Sequence, residues 1–409
     1  MKILNFGSCN IDIVYSLHHI VTSGETETTN KMEVFPGGKG LNQSIAVSRA
    51  GSFVYHAGCI GIDGEMLKDT LKNSGVDVSY LKTVPGKNGH AVIQVSQEGE
   101  NANFLYPGSN QMVEKDFIDR VLEDFEKDDI LILQNEISNV NYIVKKAHQK
   151  GMRIVLNPSP IHDSIKEIDL GMVTYLVLNK VEAKELSGFA EPEKSLAFFG
   201  REYPHLKVIL TLGAKGSIYM DETQQLRQSA FCVDVVDTTA AGDTFMGYFV
   251  SGIAKQDAVS DVLKIASAAS ALTVSREGAA PSIPTKQEVL EALNHLKQNA
   301  PDSKTDAVRR QIECYIEEHL KDANLLELSK QMGYSTVYTG SLVKKVIGQS
   351  FSVLLQTERC KVAAERLLNS DMSVKEIIDS VGYENESFFR EKFKAIYGKA
   401  PLAYRKAGL

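Results

Sequence analysis

For about 290 residues this chain alternates short apolar runs with helical stretches, and no other feature narrows its fold as much. Residues 3–6, 130–133, 153–156, 176–178 and 208–212 read as strands buried on both faces. Each precedes a polar turn and a helical pattern, as at residues 139–150 and 180–187. Repeated βαβ units of this kind predict an α/β fold with a mostly parallel sheet covered on both faces. One segment departs from the rhythm. Residues 90–96 and 103–106 are strand-like and flank the turn Gln97-Glu98-Gly99-Glu100-Asn101. They predict a hairpin off the main sheet, with partner strands between Ile13 and Phe35. Such a piece serves as a small β lid over a cleft or as an ordinary edge hairpin.

At 409 residues the chain exceeds one average domain. Pro281-Ser282-Ile283-Pro284 and a helix at 286–297 close the α/β part. Asn299-Ala300-Pro301-Asp302-Ser303-Lys304 is polar and reads as a linker. The expected division is a domain at 1–297, a linker at 298–304 and a helical domain at 305–409. In the helical part, "LSKQMGYSTVYTGSLVKK" and "IIDSVGYENESFFREKFK" form an internal repeat, with Gly333-Tyr334 and Gly382-Tyr383 in matching places. Each copy is a helix, a Gly-containing turn and a second helix, which is helix-turn-helix geometry used twice.

Composition removes other classes. With 43% hydrophobic and 24% charged residues the chain is globular. No run of about 20 apolar residues exists, so no membrane partner is expected. The N-terminus reads as an immediate strand rather than a signal peptide. Five scattered cysteines without a C-x-x-C pair suit a reducing cytoplasm, and Cys9 reads as a core thiol. From Thr305 onward 16 Lys and Arg face 14 Asp and Glu, whereas the whole chain carries −7. The asymmetry suggests different partners for the two parts.

The stretch Val236-Asp237-Thr238-Thr239-Ala240-Ala241-Gly242-Asp243-Thr244-Phe245 carries the chemistry. The apolar helical run behind it places Ala241-Gly242-Asp243 at a helix N-terminus, where unpaired N–H groups favour an anion. A carboxylate beside that anion can take a proton from an attacking hydroxyl, as phosphoryl transfer to an alcohol requires. A loop with an N-capping Asp is the plain alternative. Asn10 and Asp12 follow the first strand, at the carboxyl end where α/β folds bind ligands, unless they are simply surface residues. Pro36-Gly37-Gly38-Lys39-Gly40-Leu41-Asn42-Gln43 lets backbone approach a ligand and starts a helix; it is not a P-loop. Asn179 and Glu182 sit three apart on a new helix turn, able to hold Mg²⁺ through waters or merely to cap the helix. Thr211-Leu212-Gly213-Ala214-Lys215-Gly216 suits nucleotide phosphates.

The ordered motifs "GSCNID", "PGGKGLNQ", "QNEI", "LNKVEA", "TLGAKG", "DTTAAGDTF" and "REGAAPSIP" resemble the ribokinases of the PfkB carbohydrate kinase family over roughly residues 1–296. The resemblance implies a ribokinase-like three-layer sandwich with a β lid. It implies that Asn10, Asp12, Gly38, Lys39, Gly40, Asn42 and Glu136 contact a sugar, and that Asn179, Thr211, Gly213, Gly216 and Gly242 line an ATP site. Glu182 would order Mg²⁺, Asp243 would be the general base, and Ala240–Asp243 the anion hole. A K⁺ site is implied at Asp237, Thr239, Thr273, Arg276, Gly278 and Ser282, partly through backbone carbonyls. Ser267 stands where the family often has a His near adenine. A homodimer through the lid is implied as well.

From about Thr305 the chain resembles an AraC-type DNA-binding domain, through "GYENESFFREKFKAIYGKAPLAYR" and the repeat. Double-stranded DNA is then the expected partner. The reading helices are expected at 336–346 and 387–397, joined by a helix at 351–368. In such units the second helix enters the major groove. Arg390 is the candidate base contact, and Lys344, Lys345, Lys392, Lys394 and Arg405 the phosphate contacts. Gly340 and Ser341 depart from the usual pattern and weaken the first reader; a module for protein contacts is the alternative. The expected function is an ATP-dependent pentose kinase, with D-ribose first and 2-deoxyribose or another small furanose next, fused to a transcription regulator. The competing reading is a sugar-sensing transcription factor with little turnover.

Overall fold

The computed structural model describes residues 1–29, 31–96, 101–296, 304–370, 372–383 and 385–407. The chain divides into two compact units, Met1–Asn299 and Ala300–Leu409. The expected linker at 298–304 lies outside the described residues except for Lys304, which starts a helix.

Among the described residues the first unit holds thirteen strands: β1 (Ile3–Phe6), β2 (Asn10–Ser16), β3 (Lys31–Gly37), β4 (Tyr55–Ile60), β5 (Asp77–Thr83), β6 (Gly89–Val95), β7 (Asn101–Tyr106), β8 (Ile130–Gln134), β9 (Arg153–Asn157), β10 (Tyr175–Asn179), β11 (Lys207–Thr211), β12 (Ser217–Met220) and β13 (Gln225–Gln228). Nine form one sheet in the order β13-β12-β11-β10-β9-β8-β1-β4-β5. Pairing is parallel from β5 to β11, and β12 and β13 add antiparallel.

Its helices are α1 (Lys39–Arg49), α2 (Glu65–Asn73), α3 (Lys115–Glu123), α4 (Val140–Gln149), α5 (Lys180–Ser187), α6 (Pro192–Glu202), α7 (Ala241–Ala254), α8 (Val259–Val274) and α9 (Lys286–Ala292). They form two layers because strand side chains alternate between faces. Ile130 and Ile132 pack into one core with residues of α1, α7 and α8. Leu131 and Leu133 pack into the other with residues of α3 and α4.

The remaining strands form a separate four-stranded sheet in the order β3-β2-β6-β7. The expected hairpin is β6–β7, off the main sheet, with β2 as its parallel neighbour. It is therefore no edge hairpin of the main sheet. Residues 97–100 of its expected turn lie outside the described residues. One end of this sheet reaches the strand ends of the main one, where Asn10 pairs with both Gly37 and Gly89.

The second unit is helical: α10 (Lys304–Glu318), α11 (Leu325–Met332), α12 (Thr336–Ile347), α13 (Phe351–Asn369), α14 (Val374–Ser380), α15 (Glu386–Tyr397) and α16 (Pro401–Ala407). The helix pairs α11–α12 and α14–α15 are the two expected copies. Gly333 and Gly382 take φ of 71° and 84° in their turns, a conformation glycine adopts without steric cost. Ser335 and Asn385 cap the two second helices by accepting from Tyr338 N and Phe388 N. Each pair has its own core, one around Leu328 and Val343, the other around Ile377 and Phe389. α13 feeds both, with Leu354 and Leu355 in the first and Ala363 and Leu367 in the second. Gly340 does not break α12, and a Cβ there would make an ordinary contact with Leu325.

Candidate active site and DNA-reading surface

Asp243 is the meeting point of the first unit. Ala240 turns the chain through φ 59°, an unusual value for a residue with a Cβ, and α7 starts at the next residue. Asp243 is thereby held in the third helical position, 7% exposed. Its Oδ2 accepts from Asn42 Nδ2 at 3.2 Å and its Oδ1 from Gln43 Nε2 at 2.9 Å. The capping alternative does not describe it, since no side chain caps α7. The anion hole is smaller than expected. Ala241 N already donates to Thr238 O at 3.3 Å, and Ala240 lies outside the helix. The amides of Gly242 and Asp243 have no backbone acceptor among the described residues.

Around Asp243 the structure gathers several of the expected sugar contacts. α1 starts at Lys39, where Gly38 turns the chain with φ 94°. Glu136 accepts from Lys39 N at 3.2 Å and from the Ser8 hydroxyl. Burial opposes the charge of the Lys39 ammonium, but Asp243, Glu136 and Glu182 overcome it and hold its pKa above the usual value. Burial raises the Glu136 carboxyl despite Lys39. Burial, then Glu136, pushes Asp12 up to about 7. Asn10 Oδ1 accepts from Asn110 Nδ2 at 2.7 Å.

Gly40 is a correction. A Cβ there would overlap the backbone of Gly7 and Ser8, so this glycine serves chain packing. Its N–H donates to Ser8 Oγ and its carbonyl accepts from Asn5. Neither group is left for a sugar. Cys9 is a core thiol, as expected, 3.2 Å from His56 Nε2.

Two cavities adjoin the helix start. A polar one of about 230 Å³ is lined by Lys39, Asn157, Asn179, Glu182, Thr238 and Asp243, among others. An apolar one of about 500 Å³ is lined by Thr211, Gly213, Gly216, Phe231, Ser267 and Val274, among others. Thr211 and Gly242 line both. The expected nucleotide residues thus flank one continuous stretch of surface, with Ser267 in the apolar part.

Asn179 and Glu182 form a reciprocal capping box: Asn179 Oδ1 accepts from Val181 N and Glu182 N, and Glu182 accepts from Asn179 N at 2.9 Å. Yet Glu182 is 6% exposed and faces the polar cavity, so its carboxylate keeps lone pairs for a hydrated Mg²⁺.

Among the expected K⁺ ligands, Asp237 joins two loops. Its Oδ1 accepts from Thr239 N and Oγ1, and its Oδ2 from Gly278 N at 3.0 Å. Although partial burial works against the charge, these bonds hold its carboxyl below the usual value. The side chains of Thr273, Arg276 and Ser282 are used elsewhere. Thr273 bonds Thr244 and Ala269, Arg276 pairs with Glu288, and Ser282 bonds Ala279 O. Only their backbone carbonyls could serve an ion. The set is then all oxygen, which fits a hard cation.

In the second unit Lys344, Lys345 and Lys394 are exposed on α12 and α15, and Lys392 is half-buried with its ammonium over the Phe388 ring. Arg390 is there too, but its guanidinium is bound to Glu386 Oε1 at 2.6 Å. Arg405 is a correction: it donates to Leu367 O and Met372 O, tying α16 to the end of α13 instead of presenting itself to a phosphate. The solvent face of α12 begins with Val337 and Tyr338, 82% and 53% exposed, ahead of Gly340 and Ser341. Residues that the sequence reading did not single out are Ser8, Gln43, Asn110, Gln134 and Thr238. Gln134 had a signal, a single polar side chain ending the apolar run of β8.

The comparisons agree with this geometry. The pfkB family carbohydrate kinase model matches residues 1–286, and a helix-turn-helix domain of AraC type matches residues 328–407. The chain is 34% identical over 298 residues to a ribokinase of Haemophilus influenzae, covering 71% of this chain and 97% of that protein. It is 28% identical over 311 residues to a deoxyribokinase of Salmonella typhimurium, covering 72% and 99%. The crystal structure of ribokinase from Thermotoga maritima superposes with a TM-score of 0.67 at 32% identity, covering 72% of this chain and all of that one. The carbohydrate kinase model covers more than half of the chain, so the chain belongs to the PfkB family of carbohydrate kinases and carries a helix-turn-helix domain behind its kinase part.

Proposed function

We propose that this sugar kinase transfers the γ-phosphoryl group of ATP to the terminal hydroxyl of a pentose, ribose before 2-deoxyribose, and that its second unit reads double-stranded DNA. The observation that supports it most is the place of Asp243, between the sugar-facing cluster of Asn42, Lys39 and Glu136 and the polar cavity below the Gly242 amide. In this reading Asp243 takes the hydroxyl proton as the sugar oxygen attacks the γ-phosphorus, and ADP leaves. The Gly242 and Asp243 amides and the Lys39 ammonium stabilise the charge on the transferring group. Mg²⁺, held through Glu182 and water, would neutralise phosphate charge. K⁺ at the Asp237 loop would steady the loop that carries the anion hole. Ribose precedes deoxyribose because Asp12, with an unusually high pKa, adds polar capacity for a further hydroxyl.

A homodimer through the four-stranded sheet is part of the proposal, supported by the exposed Met32, Val34, Phe104, Leu105 and Tyr106. A cytoplasmic site is supported by the scattered cysteines, none in a C-x-x-C pair, and by the DNA partner. Among the described residues no helix is long and apolar enough to cross a membrane. The DNA domain also keeps the sensor reading in play. A coupled ADP-release assay over a panel of pentoses decides between them: turnover that Asp243→Asn lowers at least about 10²-fold supports the kinase. Sugar binding without ADP release would favour the sensor.

A further inference from the structure

The Asp243 carboxylate is gripped from both sides by side-chain amides, and the two amides differ in kind. Asn42 Oδ1 is buried without a partner among the described residues, so this side chain has a polar end left over for substrate. Gln43 has a partner at each end of its amide. It is 1% exposed, and its Oε1 accepts from Gln134 Nε2 at 2.7 Å. Gln134 Nε2 also donates to Asn5 Oδ1 at 2.9 Å. Asn5 Nδ2 donates to Gly40 O at 2.7 Å and to Ser44 Oγ at 2.8 Å. Ser44 meets His56 Nδ1 at 2.8 Å, and His56 Nε2 meets Cys9 Sγ. These side chains are all buried and come from α1, β8, β1, β4 and, for Cys9, the segment after β1. The row runs from Asp243 along the face of the sheet that α1 covers.

We infer that Gln43 is a positioning residue for the base: it fixes the rotation of the Asp243 carboxylate, and Gln134 in turn fixes Gln43. A carboxylate on a short side chain is free to rotate about its last bond. Proton transfer needs the accepting lone pair aimed at the hydroxyl, and a misplacement of about 1 Å costs on the order of 10²-fold. Gln43, bonded through both its amide oxygen and its amide nitrogen, cannot swing without stranding a donor or acceptor, whereas Gln134 is held through its Nε2 alone, its Oε1 being buried without a partner among the described residues. The grip is not needed to dock α7 on α1. A Cβ at Gly247 would overlap Ala46, so the two helices already touch backbone to backbone there.

The inference rests on Asp243 being the base, and the experiment separates the two. Full-length wild type, Asp243→Asn, Gln43→Met, Gln134→Met and the Gln43→Met/Gln134→Met double variant are assayed with whichever pentose the wild type turns over. Thermal melts run alongside. Loss of turnover in Asp243→Asn upholds the base; its retention overturns both readings. Gln43→Met keeps the side-chain length and removes the donor. We expect kcat to fall about 10- to 100-fold with both KM values within about twofold. Gln134→Met should give a smaller fall, and the double variant should be no worse than Gln43→Met, since the two act as one unit. An unchanged kcat in Gln43→Met overturns the inference. So does a rise in sugar KM that accounts for the loss, or losses that simply multiply in the double variant. If Gln43→Met melts early, Gln134→Met alone decides: its kcat must fall with KM unchanged.

Discussion

Gly37 lies flat against the Asp12 carboxylate, so closely that a Cβ on residue 37 would overlap it. The two residues face each other across β2 and β3, where Asp12 pairs with Phe35 and Gly37 with Asn10. Gly37→Ala must push the carboxylate aside. We expect sugar KM to rise at least about tenfold, as for the loss of one charged hydrogen bond, with ATP KM unchanged. Steady-state kinetics with each substrate varied in turn checks this.

Asp12 also makes stability depend on pH. Its folded carboxyl is raised by burial and by Glu136 to about 7, against 3.8 for an ordinary Asp. Between those values the folded chain keeps a proton that the unfolded chain has released. The contribution is therefore fully present below about pH 4 and is lost as pH rises through about 7. Melting curves from pH 4 to 8 should show wild type losing a few degrees relative to Asp12→Asn, with the difference levelling off above pH 8. A constant difference would reject the assignment.

Gly242 has nothing within 4 Å of where a Cβ would stand, and it lines both cavities. The empty volume is the one a phosphate needs beside the helix-start amides. Alanine is the better helix former by about 1 kcal/mol, so Gly242→Ala should melt no lower than wild type. Its kcat/KM for ATP should still fall on the order of 10²-fold, the scale of a lost oxyanion contact. Stability and turnover moving together would count against this reading.

In the second unit Glu386 holds the Arg390 guanidinium by an exposed (i, i+4) pair. Such pairs contribute only a few tenths of a kcal/mol, so DNA can compete for the arginine. Arg390→Ala should weaken binding to a selected operator by about 1–3 kcal/mol and relax preference at one position. Glu386→Ala should tighten binding by removing both the competitor and a charge facing phosphate. Fluorescence anisotropy at fixed salt compares them.

The strands of the main sheet were legible where both faces are buried, as in β8 and β11, because an unbroken apolar run has few other uses. β4 and β5 were not: the former contains the buried His56, and the latter is a half-exposed edge. The start of α1 carries no polar cap to mark it, because Gly38 turns the chain there. Asp243 and Lys39 were legible as charges in glycine-rich motifs, and Glu136 only through the family resemblance. Gln43 and Gln134 were not, since a buried amide is explained only by partners distant in sequence. Glu182 shows the converse: the spacing that suggests a metal ligand is also that of a capping box, and here one carboxylate meets both descriptions.

Asn10 and Asp12 belong to the four-stranded sheet, whereas Asn42, Glu136 and Asp243 belong to the body. On the proposed function, a pentose bonded by both groups would be a bolt through two plates, and a sugar lacking a hydroxyl for Asp12 would leave one plate unfastened. Discrimination among pentoses would then depend on the angle between the plates as well as on how well the sugar fits.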